Sequence, residues 1–178
     1  MFDAGLPVAL VVSDRPCRGL DLANDRGTAA ELIERSDFSS SFDRDEYTHG
    51  VVSVLERHKI DVVAMAGFGT VLGQSMFDAF PQRVINTHPA LLPAFPGWHA
   101  VRDALAYGVK VTGCTIHVAT PVVDDGPILA QEATAVEPDD DESSLHERIK
   151  LIERRLYVET LQDILRRGFV LASPDQEE

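Results

Sequence analysis

The chain has 178 residues, 44% of them apolar, and a formal net charge of −13. That length fits one domain with a sizeable core, and the acidic balance argues against nucleic acid, whose phosphates need a basic patch. No run approaches the roughly 18 apolar residues of a membrane span, and no basic, then apolar leader opens the chain. Cys17 and Cys114 are distant and form no CxxC pair. Reduced thiols in a cytoplasmic protein are therefore expected. The acidic runs at 139–142 and 175–178 read as a solvated loop and a chain end, not a metal site.

Residues 8–12 (Val-Ala-Leu-Val-Val) form an apolar, β-branched run that reads as a buried parallel strand. Leu20, Leu22 and Ala23 begin a short helix that Gly27 closes. Residues 30–33 are a second strand. Asp43 is placed to cap a helix starting at Arg44, with Glu46 at its third position. Val51, Val52, Val54 and Leu55 form that helix's inward side. Residues 61–66 read as a third strand ending at Gly67, and Met76, Phe77 and Phe80 suit a short helix. Residues 84–86 are a fourth strand. A helix over 102–107 breaks at Gly108, and 111–119 is a long strand. Residues 128–136 are its antiparallel partner across an Asp-Asp-Gly-Pro turn at 124–127. The final helix runs over 144–167 with Leu145, Ile149, Ile152, Leu156 and Leu161 as its buried stripe, and Gly168 ends it. Strands alternating with helices, then a hairpin, then a helix, predict an α/β fold: a mostly parallel Rossmann-like sheet flanked by helices, with a C-terminal antiparallel hairpin and a long last helix. The expected organisation is one domain over 1–178, with 169–178 a flexible tail.

No GxGxxG turn and no P-loop follows the first strand, so dinucleotide and ATP chemistry lack support. The chemistry gathers instead in residues 86–93, Asn-Thr-His-Pro-Ala-Leu-Leu-Pro, and in residues 123–128, Val-Asp-Asp-Gly-Pro-Ile. Asn86 and His88 leave a strand two residues apart, with side chains on one face. Together with Asp124 they supply a carboxamide, an imidazole and a carboxylate, the groups needed to move an acyl group between two amines. An imidazole assists the oxyanion or the proton traffic. A carboxamide offers the oxyanion a neutral N–H. A carboxylate orients or charges the imidazole, or relays protons through water. The prolines from 89 to 96 hold a rigid irregular loop around them. Each group also has a plain structural reading. Asn86 could cap its own turn, Asp124 could start the hairpin turn, and His117 could be a satisfied core histidine. His58, His99 and His146 have no recognisable partner, and neither HxxxH nor CxxC spacing marks a zinc site, so no metal is expected.

The compound pattern is specific. Residues 86–93, Pro96-Gly97, residues 113–118 (Gly-Cys-Thr-Ile-His-Val), residues 124–128 and Gln131 together resemble the phosphoribosylglycinamide formyltransferases, over about residues 6–168. The resemblance implies formyl transfer from 10-formyltetrahydrofolate to the amine of glycinamide ribonucleotide, in purine synthesis. By matching position Asn86, His88 and Asp124 are the catalytic trio. Phe68, Gly69, Thr70, Val71, Leu72, Val84 and the 120–124 loop would bound the donor, with Asn86 and Asp124 touching it, and Arg44 and Glu153 would hold the amine substrate. Gly69-Thr70 replaces the Met-Arg of many relatives, which keeps a backbone contact to the pterin and removes a guanidinium. Asp125 stands where many relatives have Gly or Thr. The small-molecule partners exclude nucleic acid and membrane, and a monomer or homodimer is expected.

The family normally opens with a strand, a Gly-Ser-Gly-type loop and a helix that bind the substrate phosphate. Residues 1–5 resemble the tail of that helix. A misassigned start, a truncation and a short homologue would each explain this. The first is favoured, because the missing strand belongs mid-sheet and its loss bares apolar edges. As given, the chain is expected to hold glycinamide ribonucleotide poorly. Other formyl-transfer classes fit less well. The methionyl-tRNA formyltransferases follow the same segment with an Arg-Gly-Ala-like run and a basic C-terminal domain. The formyltetrahydrofolate hydrolases carry a His-His-Ser-Phe-Leu-Pro-like motif and an N-terminal regulatory domain. An inactive folate-binding remnant is the alternative from outside the enzymes.

Overall fold

A computed structural model describes residues 1–171, in two compact units, Met1–Arg83 and Val84–Glu178. In the first, β1 (Leu10–Ser13), α1 (Arg18–Asp25) and β2 (Ala29–Leu32) form a right-sized βαβ unit whose strands pair in parallel, Leu10 opposite Ala29 through Ser13 opposite Leu32. Then come α2 (Arg44–Arg57), β3 (Val63–Ala64) and α3 (Gln74–Ala79). The Asp43 carboxylate accepts the Glu46 amide at the start of α2, the cap expected from sequence. Val51, Val52, Val54 and Leu55 of α2 are all buried. Thr48, one turn into α2, accepts the Gly73 amide at 2.8 Å and so fixes where α3 begins.

Two sequence expectations need correction here. Leu10, Val11 and Val12 are half-buried, not fully buried, because β1 and β2 form a two-stranded sheet in which β1 has one paired edge among the described residues. The third strand is also shorter than 61–66. Only Val63–Ala64 is extended; the Val63 amide bonds the Arg83 carbonyl at 2.8 Å, and Gly67 at φ 69° turns the chain away.

The second unit comprises β4 (Val84–His88), α4 (Ala100–Tyr107), β5 (Val111–Val118), β6 (Ile128–Ala135) and α5 (Glu142–Arg167). β5 pairs antiparallel with both β4 and β6, so antiparallel pairing reaches one strand beyond the expected hairpin. Helix α5 packs on β5 and β6. Leu145, Ile149, Leu156 and Leu161 are buried as expected, Ile152 is only half-buried, and Tyr157, Thr160 and Ile164 complete the stripe. Tyr157 donates its hydroxyl to the Ile85 carbonyl at 2.7 Å, tying the helix to β4. Asp141 and Ser144 close a capping box at the helix start, and Gly168 at φ 78° ends it. Val170 is buried; the rest of the expected tail, 172–178, lies outside the described residues.

The turn into β6 depends on one missing methyl group. A Cβ on Gly126 would lie 1.7 Å from the Val118 carbonyl oxygen. Gly50, exposed within α2, has open space around it. Gly126→Ala is therefore expected to lower unfolding free energy by about 1–3 kcal/mol or more. Gly50→Ala should raise it by roughly 0.5–1 kcal/mol through helix propensity. Urea midpoints of the two variants check this; equal shifts would refute the close-approach argument.

Candidate active site

Alternation along β4 puts Asn86 and His88 on one face and Thr87 on the other. The register with β5 sets His117 opposite Asn86 and Thr115 opposite His88, so four polar side chains share that face. Asp124 enters from the β5–β6 connection with φ 58°, a left-handed conformation that aspartate tolerates. Its Oδ2 lies 3.3 Å from His88 Nδ1 and its Oδ1 3.6 Å from His117 Nε2. The side chains of Asp124, His88 and His117 are 6%, 5% and 1% exposed. The Gly97 amide donates to Asp124 Oδ2 at 2.7 Å. Burial alone would raise the Asp124 carboxyl; the His117 contact, the Gly97 N–H and the charge of the two imidazoles outweigh it and hold the group below its ordinary value.

Each ring nitrogen has a definable role. His88 Nε2 meets the Phe95 carbonyl at 2.8 Å. That oxygen and the Asp124 carboxylate are both acceptors, so His88 satisfies both contacts only with a proton on each nitrogen. His117 Nδ1 donates to the Val118 carbonyl at 3.1 Å; with the ring neutral, Nε2 accepts from Asn86 Nδ2 at 3.2 Å, and with a second proton the same nitrogen faces Asp124 Oδ1 as a donor. In the neutral ring that bond sets which way the Asn86 amide faces. Its second N–H makes no hydrogen bond among the described residues and remains available to a ligand.

The strap from Pro89 to Gly97 is held by Thr115. Its hydroxyl donates to the Ala90 carbonyl at 2.7 Å and accepts the Leu92 amide at 3.0 Å. Gln131 Nε2 adds bonds to Thr115 Oγ1 at 2.9 Å and to the Leu92 carbonyl at 2.8 Å. The strap then delivers the Phe95 carbonyl to His88 and the Gly97 amide to Asp124.

Comparison with known proteins bears on this arrangement. A formyl transferase family model matches residues 3–161. The chain belongs to the formyl transferase family. It is 44% identical to the phosphoribosylglycinamide formyltransferase of Mycobacterium tuberculosis over 161 residues, 90% of this chain and 74% of that one. It is 36% identical to part of the human trifunctional purine biosynthetic protein adenosine-3, over 87% of this chain and 15% of that one. Among solved structures, phosphoribosylglycinamide formyltransferase from Bacillus halodurans superposes with a TM-score of 0.83 at 35% identity, covering 94% of this chain and 85% of that one.

The other residues expected at the site of this formyl transferase are placed as follows. Asn86, His88 and Asp124 converge, joined by His117. Val84 is wholly buried, so its side chain serves the core. Glu153 on α5 is half-buried, and burial raises its carboxyl. In the first unit Arg44 opens α2 with its side chain exposed. Thr70 is buried and donates its hydroxyl to Asp14 at 2.9 Å, so it offers a ligand backbone rather than side chain, while Val71 is exposed and Leu72 buried. Phe68 and Gly69 are half-buried.

Sequence reasoning left His117 open between core and site, and missed Gly97, the Phe95 carbonyl and the Thr115–Gln131 bonds. The alternation of β5 was legible, but the register pairing His117 with Asn86 was not. Gly97 and Phe95 act through backbone, which leaves no side-chain signature. His58 does have a partner: its Nε2 lies 3.0 Å from Glu31 Oε1. Thr115→Val keeps the shape of the side chain and removes the hydroxyl from two buried backbone groups. It should cost about 1–3 kcal/mol, read as a lower urea midpoint. An unchanged midpoint would mean the strap is held otherwise.

Proposed function

We propose that this chain transfers the formyl group of 10-formyltetrahydrofolate to the amine of glycinamide ribonucleotide, a step of purine synthesis. The observation that carries the reading is the buried constellation of His88, Asp124 and Asn86, with one Asn86 N–H left unpaired, in a chain 44% identical to a phosphoribosylglycinamide formyltransferase. Treating residues 1–178 as one formyltransferase domain is supported by a family match that runs from residue 3 to residue 161. A cytoplasmic setting is supported by two unpaired cysteines. No described helix is long and apolar enough to cross a membrane.

The donor supplies a formyl carbon bonded to N10. As the amine nitrogen bonds to that carbon, the carbonyl electron pair moves onto oxygen. The second Asn86 N–H is suited to donate a hydrogen bond to that developing oxyanion, because it is neutral and its amide already meets His117. His88, held between the Phe95 carbonyl and the Asp124 carboxylate, stands beside it. Asp124 holds the His88 ring in place. When the oxygen returns its electron pair, the bond from carbon to N10 breaks. The amine loses one proton and N10 requires one, so the site has only to hold a proton in transit. The Asp124–His117 pair is suited to that, since His117 Nε2 can change from accepting the Asn86 N–H to donating toward Asp124. Phe68 to Leu72 and Arg44 keep the donor and substrate assignments that the resemblance gives them; the exposure of Val71 and Arg44 supports both.

In a version extended upstream by the family's strand, Gly-rich loop and helix, His88→Ala and Asp124→Ala should each lower kcat for formyl transfer by about a hundredfold or more. The assay follows tetrahydrofolate release with glycinamide ribonucleotide as acceptor, with methionyl-tRNA and water as competing acceptors. Near-parent turnover in both variants would remove the mechanism. Preferential transfer to either competitor would remove the substrate assignment.

A further inference from the structure

We infer that Gln131 is a positioning residue for formyl transfer: from the outer strand of its sheet it sets the strap that closes on His88 and Asp124. The inference rests on the proposed function for the reaction it serves. Gln131 lies on β6, last in the strand order β3-β4-β5-β6, and is exposed. The registers place it opposite Thr115, and Thr115 opposite His88, so the three side chains form one row across three strands. Two strand spacings separate Gln131 from His88, roughly 10 Å. Its amide therefore acts on the reacting centre through other groups, not by contact.

The polarity of that amide is fixed. Nε2 stands 2.8 Å from the Leu92 carbonyl, which can only accept, so the NH2 end faces the strap. Its other contact, at 2.9 Å, is Thr115 Oγ1. The Thr115 hydroxyl donates to the Ala90 carbonyl at 2.7 Å and accepts the Leu92 amide at 3.0 Å, so the Gln131 N–H takes its remaining acceptor site. Thr115 thus anchors Ala90 and the Leu92 amide, and among the described residues Gln131 is the side chain that reaches the Leu92 carbonyl. Leu92 is 5% exposed, so without Gln131 that carbonyl is a buried acceptor in need of a donor.

A displacement at Leu92 is transmitted rather than absorbed. The Ala94 amide bonds the Leu91 carbonyl at 3.0 Å, and Pro93 and Pro96 have fixed φ. Further along the strap the Phe95 carbonyl meets His88 Nε2 at 2.8 Å, and the Gly97 amide meets Asp124 Oδ2 at 2.7 Å. Both contacts hold groups that the reaction uses, and placement errors of about 1 Å are costly in rate. Glutamine suits the position because it offers two N–H donors without charge; glutamate has the shape and neither donor.

The test follows His88 itself, by 15N–1H NMR of the histidine-labelled 178-residue chain. The His88 and His117 signals are assigned by their loss in His88→Gln and His117→Gln. The expected result is a His88 Nε2–H signal, protected from exchange in the parent, that shifts and exchanges faster in both Gln131→Leu and Gln131→Glu. The His117 Nδ1–H signal should stay in place. Gln131→Glu keeps the shape, so agreement of the two variants separates lost donors from altered packing. In the upstream-extended version both variants should lower kcat about tenfold or more and leave KM for donor and amine within about twofold. An unchanged His88 signal in both variants would overturn the inference. Equal disturbance of His88 and His117 would also defeat it, by making Gln131 a general support of the sheet. A raised KM with unchanged kcat would do the same, by making Gln131 part of a binding surface. Failure of the parent to transfer formyl from any folate would remove the proposed function instead, and the His88 signal would still decide the positioning.

Discussion

A buried carboxylate must be paired, and the second unit of this protein is arranged around that requirement at Asp124. Desolvation of an acid costs several kcal/mol unless hydrogen bonds and opposite charge return it. Here one backbone amide, from Gly97, and two imidazoles, from His88 and His117, surround the group. Those partners come from β4, from β5 and from the strap between them. A single side chain therefore reports whether the strands are in register and the strap is closed. The group is held below its ordinary value despite burial, so its stabilising effect is present above the unfolded carboxylate value and is lost as pH falls through the folded one.

The remaining geometry follows from delivering Asp124 to that point. The residue adopts φ 58°, and two residues later Gly126 passes so close to the Val118 carbonyl that no Cβ fits. Across the face, Thr115 and Gln131 fix the strap by satisfying its backbone groups. The chemistry inherits this rigidity. Asn86 is oriented by His117, and His88 by a carboxylate and a carbonyl, before any ligand arrives. Preorganised donors of this kind are what electrostatic stabilisation of a developing oxyanion requires.

Much of this was legible in the amino-acid sequence, for local reasons. Asp43 and Glu46 announce the start of α2, Gly108 and Gly168 the ends of α4 and α5, and the alternation of β5 its two faces. The trio was readable because the three groups sit in one compound motif. What escaped reading depends on pairing across the chain. The β4–β5 register turns His117 from a candidate core residue into the partner of Asn86. The burial that raises the Glu153 carboxyl follows from how α5 packs on the sheet and not from its own neighbours in sequence. The hydroxyl of Thr70, expected to offer a ligand only its backbone, bonds Asp14, 56 residues away, a pairing no local pattern announces.

The central claim is that Asp124 is an ionised, fully partnered anchor. It is tested most directly by a 13C NMR titration of carboxylate-labelled aspartate, with the Asp124 signal assigned by its absence in Asp124→Asn. The account predicts a midpoint below the ordinary aspartate value of about 3.9, because the Gly97 amide and the two imidazoles together outweigh burial. A midpoint at or above that value would show burial winning, and would contradict the account.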